Sequence, residues 1–153
     1  MSTAQAPSPT IRNAGTKPVT PRKLFVNLVV SDLQRTIDFF EALGFTFNTQ
    51  FTDATATSML IGEDAYVMFL TREKFASFTT RRVGDPAGDV VASYALSAGS
   101  REEVDELVNK AVAAGGTIPT PAMDHGFMYG WGFEDLDGHH WEVFWMDPSV
   151  VVG

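Results

Sequence analysis

A carboxylate set among apolar residues is the first place to look for chemistry, and this sequence has one at Glu142. It stands in Trp141-Glu142-Val143-Phe144-Trp145, a β-branched and aromatic run that favours an extended strand. Alternation then puts Glu142 on one face with Phe144 and Met146. A carboxylate on an apolar, partly closed surface is unfavourable unless it is paired or protonated. It can act there as a general base or as the anchor for a ligand bearing hydrogen-bond donors. A structural acid bonded to a neighbour or to water fits the same position. His140 shares the face of Glu142, but two donors do not make a metal site, and the adjacent His139 must point the other way. His125, the remaining histidine, precedes Gly126 and reads as a surface or turn residue, with a loop over a cleft as the alternative. The chain has no cysteine, so disulfides, zinc ribbons and thiol nucleophiles are excluded. It contains no Gly-rich phosphate loop, Ser–His–Asp order or dinucleotide fingerprint.

Other residues have the character of ligand contacts. Phe25 and Asn27 share a strand face with Val29. Asn27 is an amide inside an apolar strand, which needs a partner in a ligand or in a neighbouring strand. From His125 to Phe133, aromatics alternate with glycines. Tyr129 and Trp131 are placed to stack on a planar ligand, or else to pack in the core of a twisted strand. Phe75 and Phe78, flanked by Arg72 and Arg81, suit a short helix over a cavity mouth or a subunit contact.

The elements that must position these groups follow from patterning. The 153 residues are 44% hydrophobic, enough for a packed core in one domain. The net charge of −8 argues against nucleic acid, whose phosphates call for Lys and Arg. No apolar run approaches the roughly 20 residues that a membrane helix needs, and residues 1–22 read as a flexible leader with no secretory pattern, so the cytoplasm is the expected setting. Lys23–Val30 predicts a buried strand, and Ser31 with Gln34 a capping box. Leu33, Ile37, Phe40 and Leu43 form a helical stripe that stops at Gly44. Strands are expected at Phe45–Phe51, Thr57–Ile61 and Ala65–Thr71, with a tight connection at Gly62-Glu63-Asp64. The order then recurs. Val90–Ala98 predicts a strand, Ser100 with Glu103 a second capping box, and Val104, Leu107, Val108 and Ala111 a second stripe ended by Gly115-Gly116. Short strands are expected at Thr117–Pro119, Met128–Glu134 and His140–Met146, with a turn at Asp137-Gly138. The reading is an α+β fold: two βαβββ modules, about 23–71 and 90–148, joined by a linker over 72–89 and forming a curved mixed sheet around a cleft.

Leu28 to Phe40 with Leu43-Gly44-Phe45, and Phe133 to Val143, resemble the opening and closing segments of the glyoxalase/bleomycin-resistance/extradiol-dioxygenase (vicinal oxygen chelate) superfamily. The resemblance covers roughly Lys23 to Pro148, with Leu136 where the family often has Pro. It implies the paired-module fold and a homodimer. Metal-dependent members hold a divalent ion with His and Glu from four strands. Carried over singly, those places fall on Phe25, on Met68 or Phe69, on Ser93 and on Glu142. Only the last is a competent ligand: a phenyl ring has no donor, a thioether suits soft copper(I), and a lone hydroxyl binds poorly. Tyr94 lies on the opposite face from Ser93 and is assigned no shared role.

The resemblance therefore implies a small-molecule-binding protein without the usual metal or any other cofactor, one that sequesters a ligand with aromatic character. The candidate contacts are Phe25, Asn27, Met68, Ser93, Tyr129, Trp131 and Phe144. The alternatives are a lyase, isomerase or dioxygenase-type enzyme using Glu142 as base or within an unusual metal site, and a subunit whose fold serves mainly assembly.

Overall fold

The computed structural model describes residues 6–150. Residues 6–22 form no helix or strand and are exposed; residues 1–5 of the expected leader lie outside the described residues. The first module runs β1 (Leu24–Val30), α1 (Leu33–Ala42), β2 (Phe47–Asn48), β3 (Ala56–Leu60) and β4 (Ala65–Thr71). A short helix, α2 (Arg72–Ala76), begins the connection. The second module runs β5 (Ser93–Ser97), α3 (Arg101–Ala113), β6 (Met123–Asp124), β7 (Met128–Glu134) and β8 (His140–Met146). Each module is βαβββ, as expected, and each builds a four-stranded mixed sheet, in the orders β1-β4-β3-β2 and β5-β8-β7-β6. The first and last strands of each module pair in parallel. The remaining pairs are antiparallel.

The helices differ in how they start. Ser100 caps α3 as expected, accepting from the Glu103 amide, while the Glu103 carboxylate turns back to the Gly99 amide. For α1 the expected Ser31–Gln34 box does not form. Asp32 is the cap, accepting from the Arg35 amide at 3.1 Å, and Gln34 bonds Asp38 one turn on. A carboxylate cap is favoured by the positive end of the helix dipole. Ser31 is otherwise engaged: its amide donates to Asp137 of the second module at 2.9 Å. The apolar stripe of α1 is wider than expected: Phe40 and Leu43 are buried and Leu33 packs against the core as expected, and Thr36 and Phe39 are buried beside them.

Strand ends depart from expectation wherever a partner is missing. Val90 and Val91 are β-branched yet 64% and 97% exposed, because β8 begins at His140, opposite Ser93, and offers no ladder upstream. Phe45–Phe51 yields only the two residues of β2 before a 3-10 turn at Thr49–Phe51. Thr117–Pro119 reduces to one bridge, from Thr117 to Glu134. The edge strand β6, which the sequence reading did not include, pairs Met123 with Gly130.

One core joins the modules. Leu28, Val30, Val67 and Phe69 of the first sheet share a cluster with Phe133, Trp141 and Val143 of the second and with Val104, Val108 and Ala111 of α3. Phe40 of α1 lies between the sheets, its ring 5.2 Å from Phe69 and 5.1 Å from Trp141. Both helices therefore pack on the inner faces of the sheets. The other face of each sheet remains open.

Candidate functional site

The period-two alternation of the strands sorts every candidate by face. On β8, Trp141 and Val143 are buried in the core, so His140, Glu142, Phe144 and Met146 take the open face. Register extends this face across the sheet: Glu142 lies between Ala95 and Gly132, and Phe144 between Ser97 and Gly130. The result is a hollow of about 360 Å³ around Glu142, walled by Met123, Met128, Phe144 and Met146 and rimmed by Thr120 and Pro121. Trp131 borders it, but Trp131 and Tyr129 oppose Val143 and Trp145 in register and pack against the core on the helix side. The structure thus separates these two rings from the face of Glu142 and Phe144. In the sequence they stand together because glycines and aromatics alternate there, which shows two faces but not which one is covered.

Tyr129 instead serves a clamp. Its hydroxyl donates to Asp105 of α3, and the Arg101 guanidinium lies 5.4 Å from its ring centroid and 5.1 Å from that of Trp145. Arg101 also pairs with Asp124 at 2.7 Å and bonds the Gly126 carbonyl at 2.7 Å, tying β6 and the His125 loop to α3. The bond to Asp105 pushes the Tyr129 hydroxyl up from its ordinary value of 10.0 to about 12. A raised phenol pKa favours the folded state below the ordinary value, and that contribution is lost as pH rises through the folded one. Tyr129→Phe should therefore flatten the fall in stability between about pH 10 and pH 12, as followed by urea unfolding across that range.

Glu142 has a specific seat. A Cβ at position 132 would stand 2.9 Å from the Trp141 carbonyl oxygen and 3.0 Å from Glu142 Oε2, so Gly132 leaves the room into which the carboxylate folds. At Gly130 the nearest atoms are 3.7 Å away, ordinary contact. Gly132→Ala is expected to displace the carboxylate and cost about 1–3 kcal/mol by overpacking. Gly130→Ala should stay within about 0.5 kcal/mol of the parent in denaturant melts. Equal losses at the two positions would contradict this seat.

Glu142 Oε1 lies 2.6 Å from His140 Nε2, with the two side chains 38% and 18% exposed. The shared face was legible in the sequence. The contact was not, because it depends on the carboxylate folding back over Gly132.

The first module's open face carries Phe25, Asn27 and Met68. Phe25 is half exposed and stacked on Tyr66 at 4.8 Å, and the Asn27 amide donates to the Phe25 carbonyl at 3.1 Å. Met68 lies between Asn27 and Ser58 in register, whereas Phe69 is fully buried in the core. The position equivalent to Glu142 is therefore Met68, since Asn27–Met68 and Ala95–Glu142 are corresponding pairs. Ser93 is exposed opposite His140. Neither Phe25 nor Met68 borders the Glu142 hollow.

A model of the Glyoxalase/Bleomycin resistance protein/Dioxygenase superfamily matches residues 24–143. The chain belongs to this superfamily. Solved structures of similar fold include a hypothetical protein from S. aureus, at 29% identity and TM-score 0.70, covering 82% of this chain and 94% of that one. A glyoxalase-related enzyme from Fulvimarina pelagi is 20% identical at TM-score 0.71, covering 82% and 88%. A fosfomycin resistance protein from Listeria monocytogenes is 19% identical at TM-score 0.63, covering 86% and 98%. No curated protein matches.

Set against the metal-binding members of the superfamily, the donor set does not fit a divalent ion. Phe25 offers no donor atom, Met68 a thioether and Ser93 a neutral hydroxyl, while one oxygen of Glu142 is engaged by His140. Among the described residues, no three His, Cys, Asp or Glu side chains come together as a metal site would require. Among the same residues, no helix is long and apolar enough to cross a membrane.

Proposed function

We propose that this chain binds a small, largely apolar molecule of aromatic character on the open face of its second module, without a divalent ion, and holds it as a sequestering protein does. The observation that carries the reading is a single carboxylate, seated over Gly132 and oriented by His140, in a hollow otherwise walled by Phe144 and three methionines. Thioether side chains adapt to varied ligand shapes. The lone carboxylate supplies one orienting acceptor, the pattern of a small-molecule site. A second copy of the chain is proposed to cover the hollow in a homodimer, because a single chain leaves the open faces of both sheets, Phe25 included, in solvent.

One contact favours a second reading. His140 and Glu142 at 2.6 Å could instead act together in proton transfer, giving a metal-free lyase or isomerase with Glu142 as the base.

Purified without chelator and then offered nickel, zinc or manganese, the protein is expected to hold far less than one ion per chain. Stoichiometric metal that disappears in Glu142→Gln would overturn the metal-free reading. Planar aromatic compounds screened by tryptophan fluorescence and thermal shift should include binders whose affinity falls about tenfold in Glu142→Gln, the scale of one hydrogen bond to a charged group. A broad panel with no response would defeat the sequestration reading.

A further inference from the structure

A second cavity, of about 300 Å³, lies apart from the hollow walled by the methionines, where β1, the connection between the modules and the start of the second module meet. Its apolar wall includes Val29 from β1, Phe75 from α2, Val83 from the connection and the ring of Tyr94 from β5. Asn27 and His140 also line it, and their hydrogen bonds are only partly spent. Asn27 uses its amide N–H on the Phe25 carbonyl, leaving Oδ1 as an acceptor. His140 engages Glu142 through Nε2, and its Nδ1 makes no hydrogen bond among the described residues. The Tyr94 hydroxyl also makes none there. Burial, with Asp135 nearby, pushes its pKa up, so it remains an O–H donor through neutral pH.

Charge narrows the choice of ligand. Asp85 and Asp89 lie on the lining, which contains no lysine or arginine. The nearby cation, Arg72, commits its guanidinium to the carbonyls of Val83 and Gly84 at 3.0 and 3.1 Å. An anion would meet repulsion and find no counter-charge, while a purely apolar ring would leave the polar groups of Tyr94, Asn27 and His140 without partners. The volume is at the lower end for small-molecule sites and suits one substituted ring. We infer that this cavity is a second small-molecule site, which takes a neutral aromatic ring carrying a hydroxyl or amino group. Such a substituent both donates and accepts, matching the free acceptors on Asn27 and His140 and the Tyr94 hydroxyl.

The full chain would be titrated with 4-fluorophenol, fluorobenzene and 4-fluorobenzoate and followed by fluorine NMR. Saturable broadening is expected for 4-fluorophenol, binding about tenfold weaker for fluorobenzene, and no effect for 4-fluorobenzoate. Val83→Trp, which fills the cavity, should abolish the response. Tyr94→Phe, which removes one hydroxyl, should weaken it about five- to tenfold. Cross-relaxation from the bound ring to the Val83 methyls and the Phe75 ring reports the site in the parent protein, so the result stands even if Val83→Trp fails to fold. The inference is overturned if no probe binds, if 4-fluorobenzoate binds as well as 4-fluorophenol, or if binding survives in both Val83→Trp and Tyr94→Phe. Loss in Phe144→Ala with retention in Val83→Trp would also overturn it, by moving the probe to the Glu142 hollow. Loss of binding in Val83→Trp or Tyr94→Phe leaves the proposed role of Glu142 untouched, whereas this last outcome would count in favour of a ligand in the Glu142 hollow.

Discussion

Phe40→Ala is expected to lower the stability of the whole chain by about 4 kcal/mol, within the range for deleting a fully buried phenyl ring. Phe40 is 0% exposed and touches aromatic rings from three sources: Phe39 and Phe45 beside it in the chain, Phe69 of the first sheet and Trp141 of the second. Removing it leaves a cavity in the layer that joins the modules, which neither sheet can collapse to fill because each is held by its own ladder. The midpoint of thermal unfolding should fall by roughly 8–16 °C for a chain of this size. The second measurement is cooperativity. All three tryptophans, Trp131, Trp141 and Trp145, belong to the second module. Their fluorescence should report the loss although the substituted residue belongs to the first. A fluorescence transition unchanged within about 1 kcal/mol would mean that the modules are stable independently of this contact.

The second large effect is expected at Asp135. This carboxylate is 7% exposed and organises the turn that delivers β8. Its Oδ1 accepts from the amides of Asp137 and His139, each at 3.0 Å, and its Oδ2 accepts from the Trp141 indole at 3.0 Å. Burial pushes its pKa up, and these donors together with His139 pull against that shift. Asp135→Ala strands a buried indole N–H and two amides at once. The expected loss is about 3 kcal/mol or more, since each unsatisfied buried donor costs on the order of 1–3 kcal/mol. The turn also sets the interface between modules, through the Ser31 amide on Asp137 and through His139 Nε2 donating to the Val29 carbonyl at 2.6 Å. The indole N–H of Trp141 should accordingly exchange with solvent much faster in Asp135→Ala, as read by hydrogen-exchange NMR. Exchange as slow as in the parent would contradict the assigned bond.

How far the sequence reached can be followed along β8. The alternation of Trp141, Val143 and Trp145 with Glu142, Phe144 and Met146 gave the strand its bounds and its two faces, because a period of two is a local property. The same rule separated Tyr129 and Trp131 from Gly130 and Gly132. It could not say which of those faces α3 would cover, since that depends on a helix at another place in the chain. The capping residue of α1 shows the same limit on a smaller scale. Ser31 and Asp32 are both competent caps, and the choice followed from Asp137, more than a hundred residues away, taking the Ser31 amide.

The Met68-or-Phe69 ambiguity ended in the same way. Only the pairing of β1 with β4 shows that Phe69 enters the core and that Met68 corresponds to Glu142. By itself, then, the sequence determined the two βαβββ modules and the helix stops at Gly44 and Gly115, while its resemblance to the family implied metal positions at which one carboxylate is kept. These depend on hydrophobic period, backbone permissiveness and donor chemistry, all carried by neighbouring residues. Tertiary structure alone decided that both helices fill the space between the sheets, that the Glu142 hollow belongs to the second module, and that Gly132 and His140 together hold its carboxylate. Those features arise from packing between segments far apart in the chain, where no local period reaches.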